Sequence, residues 1–167
     1  MRKMTRANLE SAFAGESQAH MKYLIFAEAA ERENLPNVAR LFRAIAYAEQ
    51  VHATNHLRNL GGIGETGENL KAAIEGEKFE VEEMYPAYDA VAKLQGEQGA
   101  VRSIHYALEA EKIHEAMYER ARQAVIAGKD PQIGELFICP VCGYTHEGTP
   151  PERCPVCNAP GSSFRKF

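Results

Sequence analysis

The chain has 167 residues, of which 45% are hydrophobic and 25% are charged, a composition typical of a globular protein with one well-buried core. Its net charge of -4 argues against nucleic-acid or anionic-membrane partners, because both require a basic face. The N-terminal segment lacks the apolar run of a secretory signal, and no segment approaches the roughly 20 apolar residues that cross a bilayer. We therefore expect a cytoplasmic protein.

Apolar residues recur at helical spacing from residue 5 to residue 128, where glycine and proline are sparse. The pattern predicts four helices, at residues 5–33, 36–60, 68–94 and 97–127. Pro36 separates the first two helices, Gly61 ends the second because glycine readily adopts positive φ, and Pro86 predicts a kink in the third. Long helices joined by short loops favour an antiparallel four-helix bundle, so the predicted fold class is all-α.

The composition changes after residue 134, and all four cysteines lie beyond it. We therefore predict two domains, a helical bundle at residues 1–134 and a small metal-stapled domain at residues 135–167. Two Cys-Pro-Val-Cys turns each place two thiolates on a tight turn, and together they form a tetrahedral sulfur site. By spacing alone, zinc and a single iron fit this site equally well. The predicted ligands are Cys139, Cys142, Cys154 and Cys157, wrapped by Phe137, Tyr144, Phe164 and Phe167.

The predicted core stripe of every helix runs into acidic residues. On the second helix, Leu41 and Ile45 lead into Glu49-Gln-Val-His52, and the fourth helix carries a second Glu-x-x-His. Glu and His three residues apart share one helical face and bind one metal or bridge two. Burying carboxylates without a cation is so unfavourable that a metal pair is the simplest explanation. The candidate ligands are Glu16, Glu49, His52, Glu77, Glu80, Glu111 and His114.

The two halves of the helical region repeat this pattern at an offset of 61 or 62 residues. The repeat predicts a site of approximate two-fold symmetry. One position breaks the symmetry, because Ala19 in the first half corresponds to Glu80 in the second. We interpret the extra carboxylate as an alternative ligand for one metal.

Together these residues resemble the rubrerythrin family, in which a ferritin-like di-iron four-helix bundle precedes a rubredoxin-like iron domain. The resemblance covers essentially the whole chain, and it favours iron over zinc in the four-cysteine site, with zinc as a substitute. The segments that carry it are Ala-Phe-Ala-Gly-Glu16-Ser, Ala-Glu49-Gln-Val-His52, Glu-Gly-Glu77-x-x-Glu80 with Met84-Tyr85-Pro86, Glu111-x-x-His114 and the two Cys-Pro-Val-Cys turns.

The resemblance also implies individual roles. The seven Glu and His candidates are similar to the di-iron ligands of the family. His52 is similar to the histidine that holds one iron in the reduced state and yields to the carboxylate matching Glu80 on oxidation. Tyr23 and Tyr85 match tyrosines that hydrogen-bond ligand carboxylates and orient them.

The predicted function is a non-haem peroxidase that reduces hydrogen peroxide to water and protects against oxidative stress. The resemblance implies that electrons from a rubredoxin or an NAD(P)H-dependent rubredoxin reductase enter through the four-cysteine iron. It also implies a head-to-tail homodimer in which the four-cysteine iron of one subunit, at one end of a long bundle, serves the iron pair of the other. Helix exchange between subunits, through the glycine-rich link at residues 61–67, stays open.

Two other functions compete with this interpretation. A ferritin-like ferroxidase, iron store or dioxygen-reducing protein would use the same ligands. A helical adaptor with a structural zinc ribbon would leave the acidic residues on four core stripes unexplained.

Overall fold

The computed structural model describes all 167 residues, and the chain divides into two compact units, Met1–Gly64 and Glu65–Phe167. The first unit contains α1 (Lys3–Arg32) and α2 (Pro36–Leu60). The second contains α3 (Thr66–Phe79), a π-helix (Glu80–Met84), α4 (Tyr85–Gln95), α5 (Gln98–Ile126), β1 (Leu136–Ile138), β2 (Thr145–Glu147), a 3-10 turn (Gly161–Ser163) and β3 (Arg165–Lys166). No helix has both the length and the apolar character needed to cross a membrane.

The first unit is an α1–α2 hairpin with a core of small residues. Ala27, Ala30 and Ala39 are buried where the helices meet, and Phe42 packs against them. The alanines permit close helix approach, and the Nδ1 atom of His20 lies 2.8 Å from the carbonyl oxygen of Ala46 across the hairpin. In a two-helix hairpin each helix buries one stripe against the other, so larger apolar side chains on the flanks of the hairpin are exposed.

Leu41 and Ile45, which the sequence pattern predicts to be core residues, are such flanking side chains. They are 60% and 42% exposed. The apolar line that leads into Glu49 and His52 is therefore an exposed surface of this hairpin, and the prediction of burial is wrong for the unit as it stands.

The third predicted helix is interrupted. Residues before and after the break stay helical, but the backbone N–H of Tyr85 donates to the carbonyl oxygen of Glu80, five residues back, which is π-helical spacing. Pro86 follows at once in α4. Its ring would clash with the carbonyl group four residues earlier in a regular α-helix, so a widened turn replaces the simple kink that the sequence predicts.

The C-terminal segment forms a three-stranded antiparallel sheet in the order β2-β1-β3. Phe137 pairs with His146 on one side and with Lys166 on the other. The sheet belongs to the same compact unit as α3, α4 and α5. The predicted domain boundary after residue 134 lies just before β1 and stays a prediction, whereas the boundary between compact units falls after Gly64.

Candidate metal centres

The first unit brings together three of the predicted ligands. Ligand atoms of Glu16, Glu49 and His52 all lie within 4.8 Å of one another. α2 places Glu49 and His52 one turn apart on one face, and the His52 Nδ1 atom lies 2.8 Å from a Glu49 carboxylate oxygen. The Glu49 side chain is only 16% exposed. This cluster has the donor set of one half of a carboxylate-bridged metal pair.

The second unit repeats the arrangement with Glu77, Glu111 and His114, whose ligand atoms also lie within 4.8 Å of one another. The His114 Nδ1 atom is 2.6 Å from a carboxylate oxygen of Glu111. Burial, followed by repulsion from and hydrogen bonding to Glu111, raises the pKa of Glu77 to about 7. The second cluster therefore concentrates negative charge that a cation would neutralise.

Glu80 stands beside the second cluster, at the first residue of the π-helix. Burial and the charge of Glu111 raise its pKa, while His114 opposes the shift. Its carboxylate does not join the close set of ligand atoms. This placement suits a carboxylate that approaches a metal without being fixed on it, although an exchange of ligands stays a prediction.

The two predicted tyrosines differ in their surroundings. Burial, and then the charges of Glu80 and Glu111, raise the pKa of Tyr85, so its hydroxyl lies in the field of the second cluster. The ring of Tyr23 packs at centroid distances of 6.4 Å from Phe26 and 6.0 Å from Phe42. The role of each tyrosine in orienting ligand carboxylates remains a prediction.

The four cysteines form the third centre. All are free thiols, all but Cys157 are buried, and their sulfur atoms lie within 4.8 Å of one another. Sγ–Sγ distances are 3.5 Å for Cys139–Cys157 and for Cys142–Cys154. Burial opposes ionisation of Cys154, but hydrogen bonds from the backbone N–H groups of Cys157 and Val156, together with those from the Cys142 and Cys157 side chains, lower the pKa of this thiol. N–H groups directed at sulfur stabilise thiolates, the form that binds metal.

Aromatic side chains enclose the four-cysteine site only partly as predicted. Tyr144 and Phe164 pack against the cysteines, but Phe167 is 64% exposed and lies beside the Arg165 guanidinium instead. Tyr106, from α5, also packs there. Its position 33 residues before the first cysteine gives no sequence signal of this contact.

The cysteine-rich segment rests on α5 of its own chain. The Thr145 hydroxyl oxygen lies 2.7 Å from the His114 Nε2 atom, and the Arg120 guanidinium pairs with the Glu147 carboxylate at 2.9 Å. The four-cysteine segment therefore contacts a proposed ligand of its own chain, and the head-to-tail service of one subunit's iron pair by the other stays a prediction. Thr145 lies in no recognisable motif, so the sequence did not predict this contact.

The donor sets fit iron at all three places. Clusters of carboxylates with one histidine suit the ferritin-like iron pair, and four thiolates suit a single iron of the rubredoxin type. The raised pKa of Glu77 also indicates that negative charge in the second cluster is unfavourable without a cation. Helix-borne Glu and His clusters and a four-thiolate knuckle define the class: a di-iron protein of ferritin-like fold with a rubredoxin-like module.

Comparison with known proteins names the family within that class. The Rubrerythrin family matches residues 7–122, and the rubredoxin-like domain of rubrerythrin matches residues 137–165. The chain is 45% identical to Rubrerythrin-2 of Clostridium acetobutylicum, an alignment that covers 98% of this chain and 97% of the relative. It is 33% identical to nigerythrin of Nitratidesulfovibrio vulgaris, over 98% and 86% of the two chains.

Solved structures of relatives also match the chain. Nigerythrin in its fully reduced, all-ferrous state matches with a TM-score of 0.58 at 33% identity, covering 98% of this chain and 86% of that one. The chain belongs to the rubrerythrin family, whose members are di-iron oxidoreductases associated with oxidative stress. The predicted ferritin-like fold class, the rubredoxin-like knuckle and iron as cofactor at both kinds of site are confirmed.

Proposed function

We propose that the chain is a non-haem di-iron peroxidase that reduces hydrogen peroxide to water with electrons relayed through its four-cysteine iron. The observation that carries the proposal is the contact between the two kinds of site. A histidine of one carboxylate cluster lies 2.7 Å from a hydroxyl of the cysteine-rich segment. An iron store has no need of a thiolate site held against its ligands, whereas a reductase does.

The two helical clusters supply the proposed ligands of the iron pair, and the seventh ligand is the carboxylate at the start of the π-helix. The pair, when bound, supplies two electrons and the Lewis acidity that cleaves the O–O bond. The proposed ligands are Glu16, Glu49, His52, Glu77, Glu80, Glu111 and His114. Cys139, Cys142, Cys154 and Cys157 hold the single iron.

The protein's own part is to position these ligands. Glu49 and His52, like Glu111 and His114, are held together by their spacing on one helix, so each pair presents a carboxylate and an imidazole in fixed relation. Burial of the carboxylates strengthens their attraction to a metal ion because the surroundings are less polar than water. In this proposal the Tyr85 hydroxyl, which lies in the field of Glu80 and Glu111, donates a hydrogen bond to a ligand carboxylate.

The proposed electron donor is a separate protein, a rubredoxin or an NAD(P)H-dependent rubredoxin reductase. The chain has no Gly-x-Gly-x-x-Gly motif, so nicotinamide is bound by the reductase. Cys157 is the ligand with the most solvent exposure among the four cysteines, which gives a donor a face on which to approach.

We also propose a homodimer. Each compact unit leaves large apolar side chains in solvent, including Leu41 at 60%, Ile45 at 42% and Phe79 at 51% exposure. Large apolar side chains exposed together often mark a surface that a partner covers. A second copy of the chain would cover these side chains.

The proposal is tested by following peroxide consumption by iron-loaded protein under anaerobic conditions with a chemical reductant. We expect Glu111→Gln to lower turnover at least about 100-fold, because loss of a metal ligand disables the site. Glu109→Gln is the matched control, since Glu109 lies on the same helix and pairs with Lys112. Equal turnover of the two variants, or turnover with dioxygen and none with peroxide, would contradict the proposal.

A further inference from the structure

Two tyrosines of α4 form a ring pair that extends from a half-buried position to solvent. Tyr85 and Tyr88 are three residues apart and therefore share one face of the helix. Their ring centroids are 6.4 Å apart and their ring planes meet at 90°, which is the edge-to-face contact that aromatic rings favour. Tyr85 is half-buried, whereas Tyr88 is 54% exposed. The pair thus connects an inner phenol with an outer one.

The inner tyrosine is hydrogen-bonded, through its backbone, to a proposed iron ligand. The backbone N–H of Tyr85 donates to the carbonyl oxygen of Glu80, the first residue of the π-helix. Burial, and then the charges of Glu80 and Glu111, raise the pKa of the Tyr85 phenol. The phenol therefore keeps its proton at neutral pH, and it has both an electron and a proton to give.

The proposed peroxidase reaction creates a need for such a group. Reduction of one hydrogen peroxide to two water molecules consumes two electrons and two protons. The four-cysteine iron supplies one electron at a time, so without a further donor the iron pair is left half-reduced, with one ferrous ion. A second peroxide molecule then finds only one electron at the pair, and its one-electron reduction would release a hydroxyl radical.

We propose that Tyr85 supplies the missing electron and that Tyr88 passes the oxidising equivalent to a small reductant of the ascorbate class in solvent. The inference rests on the proposed peroxidase function. The O–O bond breaks and two water molecules form, with one electron from the ferrous ion, one electron and one proton from the Tyr85 phenol, and one proton from solvent. The Tyr85 radical then takes an electron and a proton from Tyr88, and the reductant restores Tyr88 in the same way.

The relay is tested by electron paramagnetic resonance, a readout separate from turnover. Protein with ferric four-cysteine iron and a half-reduced iron pair is mixed anaerobically with one equivalent of hydrogen peroxide and frozen. We expect a tyrosyl radical whose signal narrows when the tyrosines are ring-deuterated, and no radical in zinc-loaded protein. Tyr88→Phe retains the ring but holds the radical on Tyr85. Ascorbate should quench this radical at least about tenfold more slowly than in the wild type, because Tyr85 is half-buried.

Tyr47→Phe is the matched control, because Tyr47 is 67% exposed but lies on α2, in the other compact unit. It should leave the radical yield and the quenching rate at their wild-type values. Absence of a tyrosyl radical in the wild type, or equal quenching rates in Tyr88→Phe and wild type, would overturn the relay alone. Fully reduced protein that leaves peroxide unconsumed would contradict the proposed function and the relay together.

Discussion

The carboxyl of Glu77 is held at a pKa of about 7 by burial and by the neighbouring Glu111. A carboxyl with a pKa raised in the folded state binds its proton more tightly folded than unfolded. The metal-free fold therefore loses stability as the pH rises from the ordinary value of 4.5 through about 7. The same charge that costs stability in the metal-free protein gives the site its affinity for a cation.

The loss of stability with rising pH leads to a prediction for Glu77→Gln in metal-free protein. At pH 5 we expect its free energy of unfolding to match that of the wild type. At pH 8 the variant gains about 1 kcal/mol, less than the full pKa shift implies because the carboxyl is only half-buried. Urea denaturation at the two pH values measures the difference. A variant less stable than wild type at pH 8 would show that the ionised carboxylate is not strained.

The sulfur ligands give a second prediction at the scale of single residues. Cys142 is buried within the knuckle, and so small a segment depends on its metal for stability. Cys142→Ser should lower the iron content by one ion per chain and abolish hydrogen-exchange protection in β1 and β2. Ser163→Ala, in the same segment and outside the site, should change neither. Retention of full iron content in Cys142→Ser would rule out the four-thiolate assignment.

At the scale of elements, loop glycines define where helices end. Gly96 caps α4 with φ of +74°, and a Cβ atom there would meet nothing within 4 Å. Gly99, three residues later in α5, is equally unobstructed but has no such backbone requirement. Comparing the two glycines therefore isolates the effect of backbone conformation, because steric contact is absent at both positions.

We predict opposite effects on stability at these two glycines. Gly96→Ala should lower the free energy of unfolding by about 1 kcal/mol, because alanine is disfavoured at positive φ. Gly99→Ala should raise it by about 0.5 kcal/mol, because alanine loses less conformational entropy in a helix. Urea denaturation of metal-free protein measures both. Equal shifts would contradict the difference in backbone conformation.

Helix positions were largely predictable from sequence, since apolar spacing with proline and glycine stops defines them. α2 spans Pro36–Leu60, as predicted, and α1 and α5 differ from prediction by two residues or fewer at each end. The π-helix was not predictable, because one widened turn leaves the apolar spacing on each side intact. Pro86 alone marked the region, and proline is also compatible with an ordinary kink.

On the scale of the whole molecule, candidate ligands could be proposed from the sequence, but contacts between segments could not be predicted. Glu-x-x-His spacing and Cys-Pro-Val-Cys turns are local, so sequence exposes them. The seating of the knuckle on α5 depends on Thr145 meeting His114, 31 residues away. Neither the residue types nor their spacing in the sequence predicts that contact. The exposure of Leu41 could not be predicted for a similar reason, because periodicity identifies an apolar face but not the element that covers it.

The proposed homodimer gives a prediction at this scale. Leu41→Glu and Ile45→Glu place charge on the exposed apolar line that leads into Glu49, and we expect each to shift sedimentation toward the monomer at micromolar concentration. Tyr47→Glu is the matched control, since Tyr47 is 67% exposed on another face of α2. A wild type that sediments as a monomer while reducing peroxide at full rate would refute the dimer.

The most direct measurement reduces the iron-loaded protein anaerobically, adds one equivalent of hydrogen peroxide per iron pair, and records Mössbauer and visible spectra over time. We predict that the carboxylate-bound pair becomes ferric first, that the four-cysteine iron then gives one electron to it and becomes ferric, so that the pair ends with one ferrous ion, and that no peroxide remains. Ferrous carboxylate-bound iron that persists in the presence of peroxide, or four-cysteine iron that stays reduced beside a ferric pair, would contradict the account.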